Sequence, residues 1–269
     1  EIMGVRKMKI VVCIKQVPDT AEVKLDPKTN TLIREGVPSI INHDDKAGLE
    51  AALRLREQCG GTVCALCMGP PQAEGALREA LAMGVDEAYL LSAREFGGSD
   101  TYATATIIAA ALGKIGFDLI ITGRQAIDGD TAQVGPQIAE QLHIPQVSYA
   151  EELQVEGNSL VVKRQFEDCS HRLKVSTPCL VTALSELNEP RYMSVGGIVD
   201  AFQKEITVWG FEDLKEAFNP EWIGLQGSPT NVFQSFGKQL RAPGVVLNSL
   251  SADEAVEAIM QRLIQRHLI

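Results

Sequence analysis

The sequence predicts an α/β protein in which a doubly wound parallel sheet carries an appended antiparallel hairpin patch, a C-terminal arm and a last helix. Short apolar runs without alternation recur along the chain, and such runs are typical of parallel strands covered on both faces. Segments with helical periodicity separate them, and this regular alternation indicates the doubly wound pattern. With 269 residues, 45% of them hydrophobic, the chain is long enough for one large domain and its core.

Five apolar runs account for the parallel sheet. They are residues 9–14, 62–68, 87–91, 118–122 and 179–183. The helices between them are expected at residues 42–58, 70–84, 102–115 and 136–142. Their ends carry the usual signals, because Asn42 is a good N-cap residue, Ser99 or Asp100 can cap the third helix, and Gly84 can end the second. Helices on both faces of the sheet follow from this order.

A change of rhythm after Pro145 predicts the antiparallel patch. Three segments there alternate or carry β-branched residues, and Gly157-Asn158 reads as a tight turn between two of them. They are residues 149–155, 159–166 and 172–175. From Asn188 onwards glycine and proline interrupt the periodicity, although both tryptophans and five of the eight phenylalanines fall there. Such a segment packs on something else, so we expect an extended arm before the last helix, which Ser251 caps.

Composition excludes several classes of function. The formal net charge of −10 and the pI of about 5.0 make the chain a poor general binder of nucleic acid or anionic membranes. No apolar run reaches the roughly 18 residues of a membrane span. Six scattered cysteines favour reduced thiols in a cytoplasmic protein over a disulfide framework. Cys64 and Cys67 share a predicted strand, where residues three apart face opposite sides, which indicates buried structural thiols.

The stretch from Gly123 to Gly135 is the candidate site. It follows an apolar strand, contains three glycines with Asp128 and Asp130, and precedes a helix. A Gly-rich turn between strand and helix is where α/β proteins place ligands, and the unpaired N–H groups of the helix start suit phosphate. The two common nucleotide fingerprints are absent, so an Asp-rich turn that only caps a helix stays open as the alternative. We interpret the stretch as a loop that holds a nucleotide.

Catalytic groups do not accompany this loop in the sequence. No Ser, Cys or Lys nucleophile motif with a plausible base is seen, and the four histidines are dispersed without metal spacing. A nucleotide loop without such groups indicates a cofactor holder or a sensor. A second unusual run, from Asn188 to Ile198, is either an ordinary loop before a short helix or a protruding loop that docks a partner through Tyr192, Met193 and Val195.

Five ordered motifs stand out along the chain. They are Lys9-Ile-Val-Val-Cys-Ile-Lys-Gln-Val17, Ala80-Leu-Ala-Met-Gly-Val-Asp86, Gly123-Arg-Gln-Ala-Ile-Asp128, Lys163-Arg-Gln-Phe-Glu-Asp168 followed by Pro178-Cys-Leu-Val-Thr182, and Asn188-Glu-Pro-Arg-Tyr192. Together they resemble the electron transfer flavoprotein β-subunit family from Met8 to the C-terminus. The resemblance implies a heterodimer with an α-subunit, in which this chain supplies a Rossmann-like α/β domain and an arm wrapped around the partner.

The resemblance also implies which residues hold an adenine nucleotide. They are Cys13, Asn42, Asp45, Met68, Gly123, Arg124, Gln125, Ala126, Ile127, Asp128, Gly129, Asp130, Thr131, Ala132, Gln133 and Val134. A partner-recognition loop would consist of Glu189, Pro190, Arg191, Tyr192, Met193, Ser194 and Val195. Family members that bind only AMP tend to carry three consecutive acids in the nucleotide loop, whereas this chain has Gly129 and Thr131. Those departures, with Gly196-Gly197 after the recognition motif, resemble the electron-bifurcating branch that binds a second FAD.

The expected domains follow from the motifs. Residues 8–187 form the nucleotide-binding α/β domain with its hairpins, 188–250 the partner-recognition loop and extended arm, 251–269 the C-terminal helix, and 1–7 a leader or an expression remnant.

Replacing an acid by Gly129 removes negative charge and bulk beside the expected phosphates, so a second phosphate is easier to accommodate. The N–H groups of residues 129–133 would cradle pyrophosphate, Asp128 and Asp130 would position the helix entry or ribose, and Arg124 and Gln125 would face the phosphates or the flavin edge.

The expected function is electron bifurcation from an FAD held by this loop, with NADH as the hydride donor. One electron would go to ferredoxin or flavodoxin, and the other through the FAD of the α-subunit to an acyl-CoA dehydrogenase-like or other flavin dehydrogenase. NADH-oxidising activity would belong to the complex and not to this chain alone. Two alternatives stay open: a conventional electron transfer flavoprotein β-subunit with structural AMP, and a universal-stress-type ATP-binding sensor.

Overall fold

A computed structural model describes residues 7–19, 38–233 and 244–269 and centres on one nine-stranded sheet. The strands in chain order are β1 (Met8–Ile14), β2 (Gln16–Pro18), β3 (Ser39–Ile41), β4 (Gly61–Met68), β5 (Glu87–Leu91), β6 (Leu119–Gly123), β7 (Gln146–Glu156), β8 (Ser159–Gln165), β9 (Ser170–Ser176), β10 (Cys179–Ala183) and β11 (Ile206–Trp209). β2 and β3 form a small antiparallel pair, and the other strands follow the order β11-β5-β4-β1-β6-β10-β7-β8-β9. The predicted α/β class is therefore confirmed.

Seven helices accompany these strands within the described residues. They are α1 (His43–Cys59), α2 (Glu74–Met83), α3 (Thr101–Ile115), α4 (Val134–Gln141), α5 (Val195–Gln203), α6 (Phe211–Leu214) and α7 (Ala252–Gln265), and single 3₁₀ turns lie at Pro71–Ala73, Arg94–Phe96, Ser185–Leu187 and Pro220–Trp222. Asp100 caps α3, because its Oδ1 accepts a hydrogen bond of 3.0 Å from the N–H of Ala103. Gly84 ends α2 with a φ of 117°, which only glycine adopts without strain.

Helices cover both faces of the parallel part of the sheet, as the apolar runs predicted. Ile10 of β1 packs in the cluster that includes α1 and α2, and its neighbour Val11 packs in the cluster that includes α3 and α4. Cys67 and Cys64 are buried in these same two clusters, one on each face. The prediction of two buried structural thiols on opposite faces is therefore confirmed.

The chain reverses its direction of winding next to β1. β4 and β5 extend the sheet on one side of β1, whereas β6 and β10 extend it on the other. β1 is parallel to both of its neighbours, with Cys13 opposite Leu66 of β4 and Thr122 of β6. Open α/β sheets bind ligands at such a switch point, in the crevice outside the carboxyl ends of the strands. The fold thus places the end of β6, and the loop after it, at the expected ligand position.

The predicted antiparallel patch continues the same sheet. β7 is parallel to β10 and antiparallel to β8, and β8 is antiparallel to β9. β10 lies between β6 and β7, although three strands of the patch precede it in the sequence. At the opposite edge, β11 pairs in parallel with β5. This edge strand was not predicted, because four residues among repeated glycines and charges give no periodic signal.

Residues 244–269, which contain α7, belong to a compact unit of their own. The predicted cap of this helix is confirmed, because the N–H of Glu254 donates to Ser251 Oγ and the carboxylate of Glu254 accepts from the N–H of Ser251. The leader expected at residues 1–7, apart from Lys7, and positions 234–243 of the expected arm lie outside the described residues. Among the described helices, none has the length and apolar character needed to cross a membrane.

Candidate functional site

The loop between β6 and α4 lies at the carboxyl edge of the sheet, where the sequence placed it. It is a tight turn, since the N–H groups of Gly129 and Asp130 both donate to the carbonyl of Ala126, at 3.0 and 2.8 Å. Asp130 and Ala132 have positive φ values of 50° and 53°. Two non-glycine residues in this region are uncommon, and they turn successive peptide groups of the loop in different directions. We call residues 123–134 the cofactor loop.

Asp45 and Asn42, at the start of α1, fasten the cofactor loop to the sheet. The carboxylate of Asp45 accepts from the N–H of Lys15 at 2.7 Å and from the N–H of Gly123 at 2.9 Å, so it joins the ends of β1 and β6. The side chain of Asn42 donates to the carbonyl of Gln125 at 2.8 Å and accepts from the N–H of Ile127 at 3.2 Å. Asn42 occupies the predicted N-cap position, but its amide makes no cap hydrogen bond and holds the loop instead.

The carboxyl group of Asp45 is buried, with 6% of the residue exposed. Burial raises its pKa to about 7, and the hydrogen bonds from the backbone of Lys15, from Asn42 and from the backbone of Gly123 only partly oppose that rise. The neighbouring charge of Asp44 acts in the same direction as burial. The junction of the cofactor loop thus contains an acid that changes charge near neutral pH.

The two acids of the cofactor loop are both engaged by neighbouring side chains. Asp128, whose side chain is 5% exposed, forms an ion pair of 2.7 Å with Lys15, which directly follows β1. Asp130 accepts a hydrogen bond of 2.9 Å from the amide of Gln125. Lys15 therefore neutralises one of the two negative charges in the loop, and the turn is stabilised from within by Gln125.

Arg124 is the positive residue of the loop itself. Its Nε lies 3.5 Å from Oδ2 of Asp44, and both atoms are buried without a hydrogen-bond partner among the described residues. Burial raises the pKa of Asp44, and the charge of Arg124 opposes that rise. Buried polar atoms are normally satisfied, so this pair is one place where a bound group or ordered water would complete the hydrogen bonding.

The N-terminus of α4 is left open towards the cofactor loop. Within the described part of the chain no side chain caps it, and the side chain of Gln133 instead accepts from Thr101 Oγ1 at 3.0 Å. A Cβ added at Gly135 would lie 2.6 Å from Thr122 Oγ1, so glycine here lets α4 approach β6 closely. An uncapped helix start has unpaired N–H groups and a positive dipole end, which together favour phosphate.

Gly129 has no role in the packing of the chain itself. Its φ is not positive, and no described atom lies within 4 Å of the position that a Cβ would take. Gly123 is the opposite case, because a Cβ there would lie 2.1 Å from Oδ1 of Asp45. The backbone and its neighbours require glycine at position 123 and leave position 129 free.

Cys13 and Met68 complete the predicted nucleotide set. They lie at or near the carboxyl ends of the adjacent strands β1 and β4, and both are partly buried against the cluster that includes α3 and α4. Burial, with the nearby charge of Asp45, raises the pKa of the Cys13 thiol far above neutrality, so it is a neutral contact surface and not a nucleophile. The nucleotide-binding residues predicted from the resemblance therefore lie on or beside the carboxyl edge of β4, β1 and β6.

The predicted partner-recognition loop is a second exposed segment, held against the middle of α1. Arg191 bonds to the carboxylate of Glu50, with Nε to Oε2 at 2.8 Å, and to Glu57 at 2.6 Å. The next residue, Tyr192, is 98% exposed, and Val195 is 82% exposed. We call residues 189–195 the docking loop; α5 begins at its last residue.

Sequence reasoning missed several residues that hold these two loops. Lys15 and Thr101 support the cofactor loop, and Glu50 supports the docking loop. For Lys15 a signal was present, because it directly follows a predicted inner strand and therefore lies at the carboxyl edge. Glu50 gave no signal, since a charged residue within a helix is usually solvated.

The chain is similar to known proteins over nearly its whole length. A family model described as electron transfer flavoprotein domain matches residues 29–214. The chain is 52% identical over 264 residues to the caffeyl-CoA reductase-Etf complex subunit CarD of Acetobacterium woodii, and 54% identical over 263 residues to an electron transfer flavoprotein subunit beta of Thermoanaerobacterium thermosaccharolyticum. It is 49% identical over 269 residues to the acryloyl-CoA reductase electron transfer subunit gamma of Anaerotignum propionicum. Each alignment covers 97% of this chain and 100% of the relative.

Proposed function

This chain belongs to the electron transfer flavoprotein family as a β-subunit, and from that membership we propose that its cofactor loop holds FAD for electron bifurcation. The family resemblance of the sequence is thereby confirmed, and the universal-stress-type alternative is no longer needed. We further propose that the chain works in the cytoplasm as a heterodimer with an α-subunit. All six cysteines, each within the described residues, are free thiols, which supports a reducing compartment.

The donor set of the cofactor loop fits the pyrophosphate of a dinucleotide. The open N-terminus of α4 and the peptide groups of residues 131–133 supply N–H donors, whereas the expected donors at Gly129 and Asp130 are used within the turn. Arg124 adds a positive charge, and Lys15 cancels the charge of Asp128. These features offset the acidity of the chain at the one place where phosphates must lie.

Gly129 is the observation that carries the proposal of FAD over AMP. Neither the φ angle nor the packing of the chain requires glycine there, so the open space beside it is available to a ligand. An acid at this position would add a third negative charge next to Asp128 and Asp130. Two phosphates tolerate that charge less well than one, since unit charges repel more as their number rises.

When bound, FAD would supply the two-electron chemistry that accepts a hydride from NADH. One electron would then pass to ferredoxin or flavodoxin. The other would pass through the FAD of the α-subunit to an acyl-CoA dehydrogenase-like or other flavin dehydrogenase. The chain itself would contribute binding and position. Asn42 and Asp45 fix the loop against the sheet, Cys13 and Met68 form its floor, and Arg124 with Gln125 faces the ligand.

The docking loop is the surface we propose for the dehydrogenase. Tyr192 and Val195 expose large apolar areas, and the outer side of α5 continues them with Val199 and Phe202, which are 55% and 72% exposed. Exposed apolar patches of this kind mark interaction sites. The two relatives named for caffeyl-CoA and acryloyl-CoA reductase systems support an acyl-CoA-linked partner.

Counting nucleotides in the purified heterodimer tests the proposal. We expect two FAD molecules per heterodimer, no AMP, and reduction of the bound flavin by NADH. A Gly129→Asp variant should lose one FAD while keeping the flavin of the α-subunit. One FAD and one AMP in the wild type would establish the conventional alternative, in which the same loop holds a structural nucleotide.

A further inference from the structure

The carboxylate of Glu50, which lies outside the cofactor site, accepts four hydrogen bonds from two arginines. The residue is 2% exposed and lies in the middle of α1. Besides Nε of Arg191 at 2.8 Å, it accepts from the Arg191 backbone N–H and its second terminal nitrogen, both at 3.2 Å. Arg54, one turn later on α1, donates from its Nε at 2.7 Å. Two guanidinium groups thus converge on one buried carboxylate.

Ion pairing keeps Glu50 charged despite its burial. Burial by itself would raise its pKa, but hydrogen bonds from Arg191 and Arg54 lower the pKa below its ordinary value. A buried carboxylate with matched guanidinium donors is strongly oriented, because loss of one partner leaves a charge without compensation. The second contact of Arg191 is with Glu57, whose side chain is 52% exposed and therefore holds it more weakly.

The two ends of the docking loop are fixed without Glu50. On the upstream side, the 3₁₀ turn Ser185–Leu187 packs against α1, and Leu187 is 8% exposed. On the downstream side, Ser194 caps α5 through the N–H of Gly197 at 2.9 Å, and Arg78 of α2 donates to the carbonyl of Ala201 at 2.7 Å. Glu50 therefore controls only the middle of the loop, around residues 189–193.

We propose that Glu50 is a positioning residue that fixes the docking loop, through Arg191, in the conformation that presents Tyr192 and Met193 to a partner dehydrogenase. The identity of the partner rests on the proposed function, whereas the attachment of the loop does not. Arg54 reinforces the arrangement, because its terminal nitrogen also reaches the carbonyl of Glu189 at 3.4 Å. Tyr192 touches the partner in this scheme, and Glu50 never does.

The attachment is tested by trypsin cleavage after Arg191 in the complete heterodimer. Glu50→Gln keeps the shape of the side chain and removes its charge, so Arg191 is released to the protease. We expect the fragment ending at Arg191, followed by mass spectrometry, to form about tenfold faster than in the wild type. Glu57→Gln should accelerate its formation by about threefold or less. Glu79→Gln is the matched control, because it removes a carboxylate that pairs with Lys46 of α1 away from the loop, and it should have no effect.

The positioning role is tested with the same heterodimers and an acyl-CoA dehydrogenase that the wild type reduces. For Glu50→Gln we expect KM for the dehydrogenase to rise roughly tenfold, with kcat, nucleotide content and NADH-driven flavin reduction within about twofold of the wild type. A general loss of structure would instead lower nucleotide content and kcat together. Glu57→Gln should shift KM in the same direction by a smaller factor, which tests the proposal with a milder change.

The outcomes separate the two ideas. Unchanged cleavage after Arg191 in Glu50→Gln would overturn the proposal, and so would faster cleavage with an unchanged KM for the dehydrogenase. If the wild-type heterodimer contains AMP or does not respond to NADH, the proposed function fails, while cleavage and the KM for a conventional acyl-CoA dehydrogenase still decide the role of Glu50.

Discussion

The cofactor loop and the docking loop are each held by a buried acid of α1, but the hydrogen-bond donors to the two acids differ in charge. Asp45, in the first turn, holds the cofactor loop through neutral N–H donors, whereas Glu50 holds the docking loop through guanidinium groups. Both residues are buried, at 6% and 2% exposure. The pKa of Asp45 is raised to about 7 and that of Glu50 is lowered. Burial outweighs the neutral donors at Asp45, whereas the guanidinium donors outweigh burial at Glu50.

This difference separates the two loops in their response to pH. Asp45, which holds the cofactor loop, gains or loses its charge near neutral pH. A small change in its surroundings therefore alters its protonation. The fastening of the docking loop remains charged throughout that range, because Glu50 titrates in more acidic solution. Variants of the two regions should therefore behave differently, and the following changes test that contrast.

The largest effect is expected from Gly123→Ala. The new Cβ would overlap Oδ1 of Asp45 at 2.1 Å and approach the backbone N of Asp45 at 3.0 Å. Because the helix start and the strand end are both fixed, we expect a loss of about 3 kcal/mol in the free energy of unfolding, measured by urea denaturation. Gly129→Ala is the matched control in the same loop, and its stability should change by no more than about 0.5 kcal/mol. Equal losses would show that the loop yields freely at both positions.

Asp45→Asn tests the charge of the cofactor fastening. The unfolded chain ionises Asp45 near its ordinary pKa of 3.8, whereas the folded chain keeps the proton up to about pH 7, so the free energy of unfolding falls as the pH rises between these values. The variant lacks that fall. We expect the variant to be more stable than the wild type by about 2 kcal/mol at pH 8. This advantage should be smaller at pH 5.

Urea denaturation across pH 5–8 measures this difference. A stability difference that does not change with pH would contradict the raised pKa of Asp45. Because the amide offers one acceptor oxygen where the carboxylate offers two, the variant should also bind the nucleotide more weakly at pH 8. Greater stability with weaker binding would identify Asp45 as a group kept for function at a cost in stability.

Lys15→Met should have an intermediate effect. It leaves the side chain of Asp128, 5% exposed, without its ion pair and removes the positive charge that offsets this carboxylate. Since Lys15 is half exposed, we expect a stability loss of only about 1–2 kcal/mol, together with a weaker affinity for FAD. Lys174→Met provides the control, because it breaks a similar ion pair with Glu156 at the exposed edge of the sheet. An equal effect of both variants would remove Lys15 from the cofactor site.

The smallest effect is expected from Glu57→Gln. Its ion pair with Arg191 lies at the surface, so the free energy of unfolding should fall by at most about 0.5 kcal/mol. Thermal unfolding at low and high salt measures this, and added salt should make the difference smaller. A loss as large as that of Glu50→Gln in the same assay would show that the exposed contact of Arg191 stabilises the protein as much as the buried one.

The sequence alone predicted the parts of this arrangement that depend on neighbours in the chain. The apolar runs of β1, β4, β5, β6 and β10, and the caps at Asp100 and Ser251, are local signals, so their positions were predictable. The same holds for the cofactor loop, because the turn residues and the preceding strand adjoin each other.

The fastenings could not be predicted in this way. Lys15 and Asp128 are 113 residues apart, and Glu50 and Arg191 are 141 apart. Their pairing exists only once the sheet has formed, and nothing in their immediate surroundings marks them. Asn42 shows how a local rule gives way to tertiary structure, since a residue suited to capping α1 uses its amide on the cofactor loop.

The position of β10 has a consequence for biosynthesis. Strands β6 and β7 are complete once Glu156 has been made, yet the strand that separates them ends only at Ala183. At about 5–20 residues per second, a ribosome leaves the two facing edges unpaired for a few seconds. Unpaired edges are templates for wrong strand pairing and aggregation. A pause in translation between residues 156 and 183 should therefore cost more soluble protein than an equal pause after residue 183.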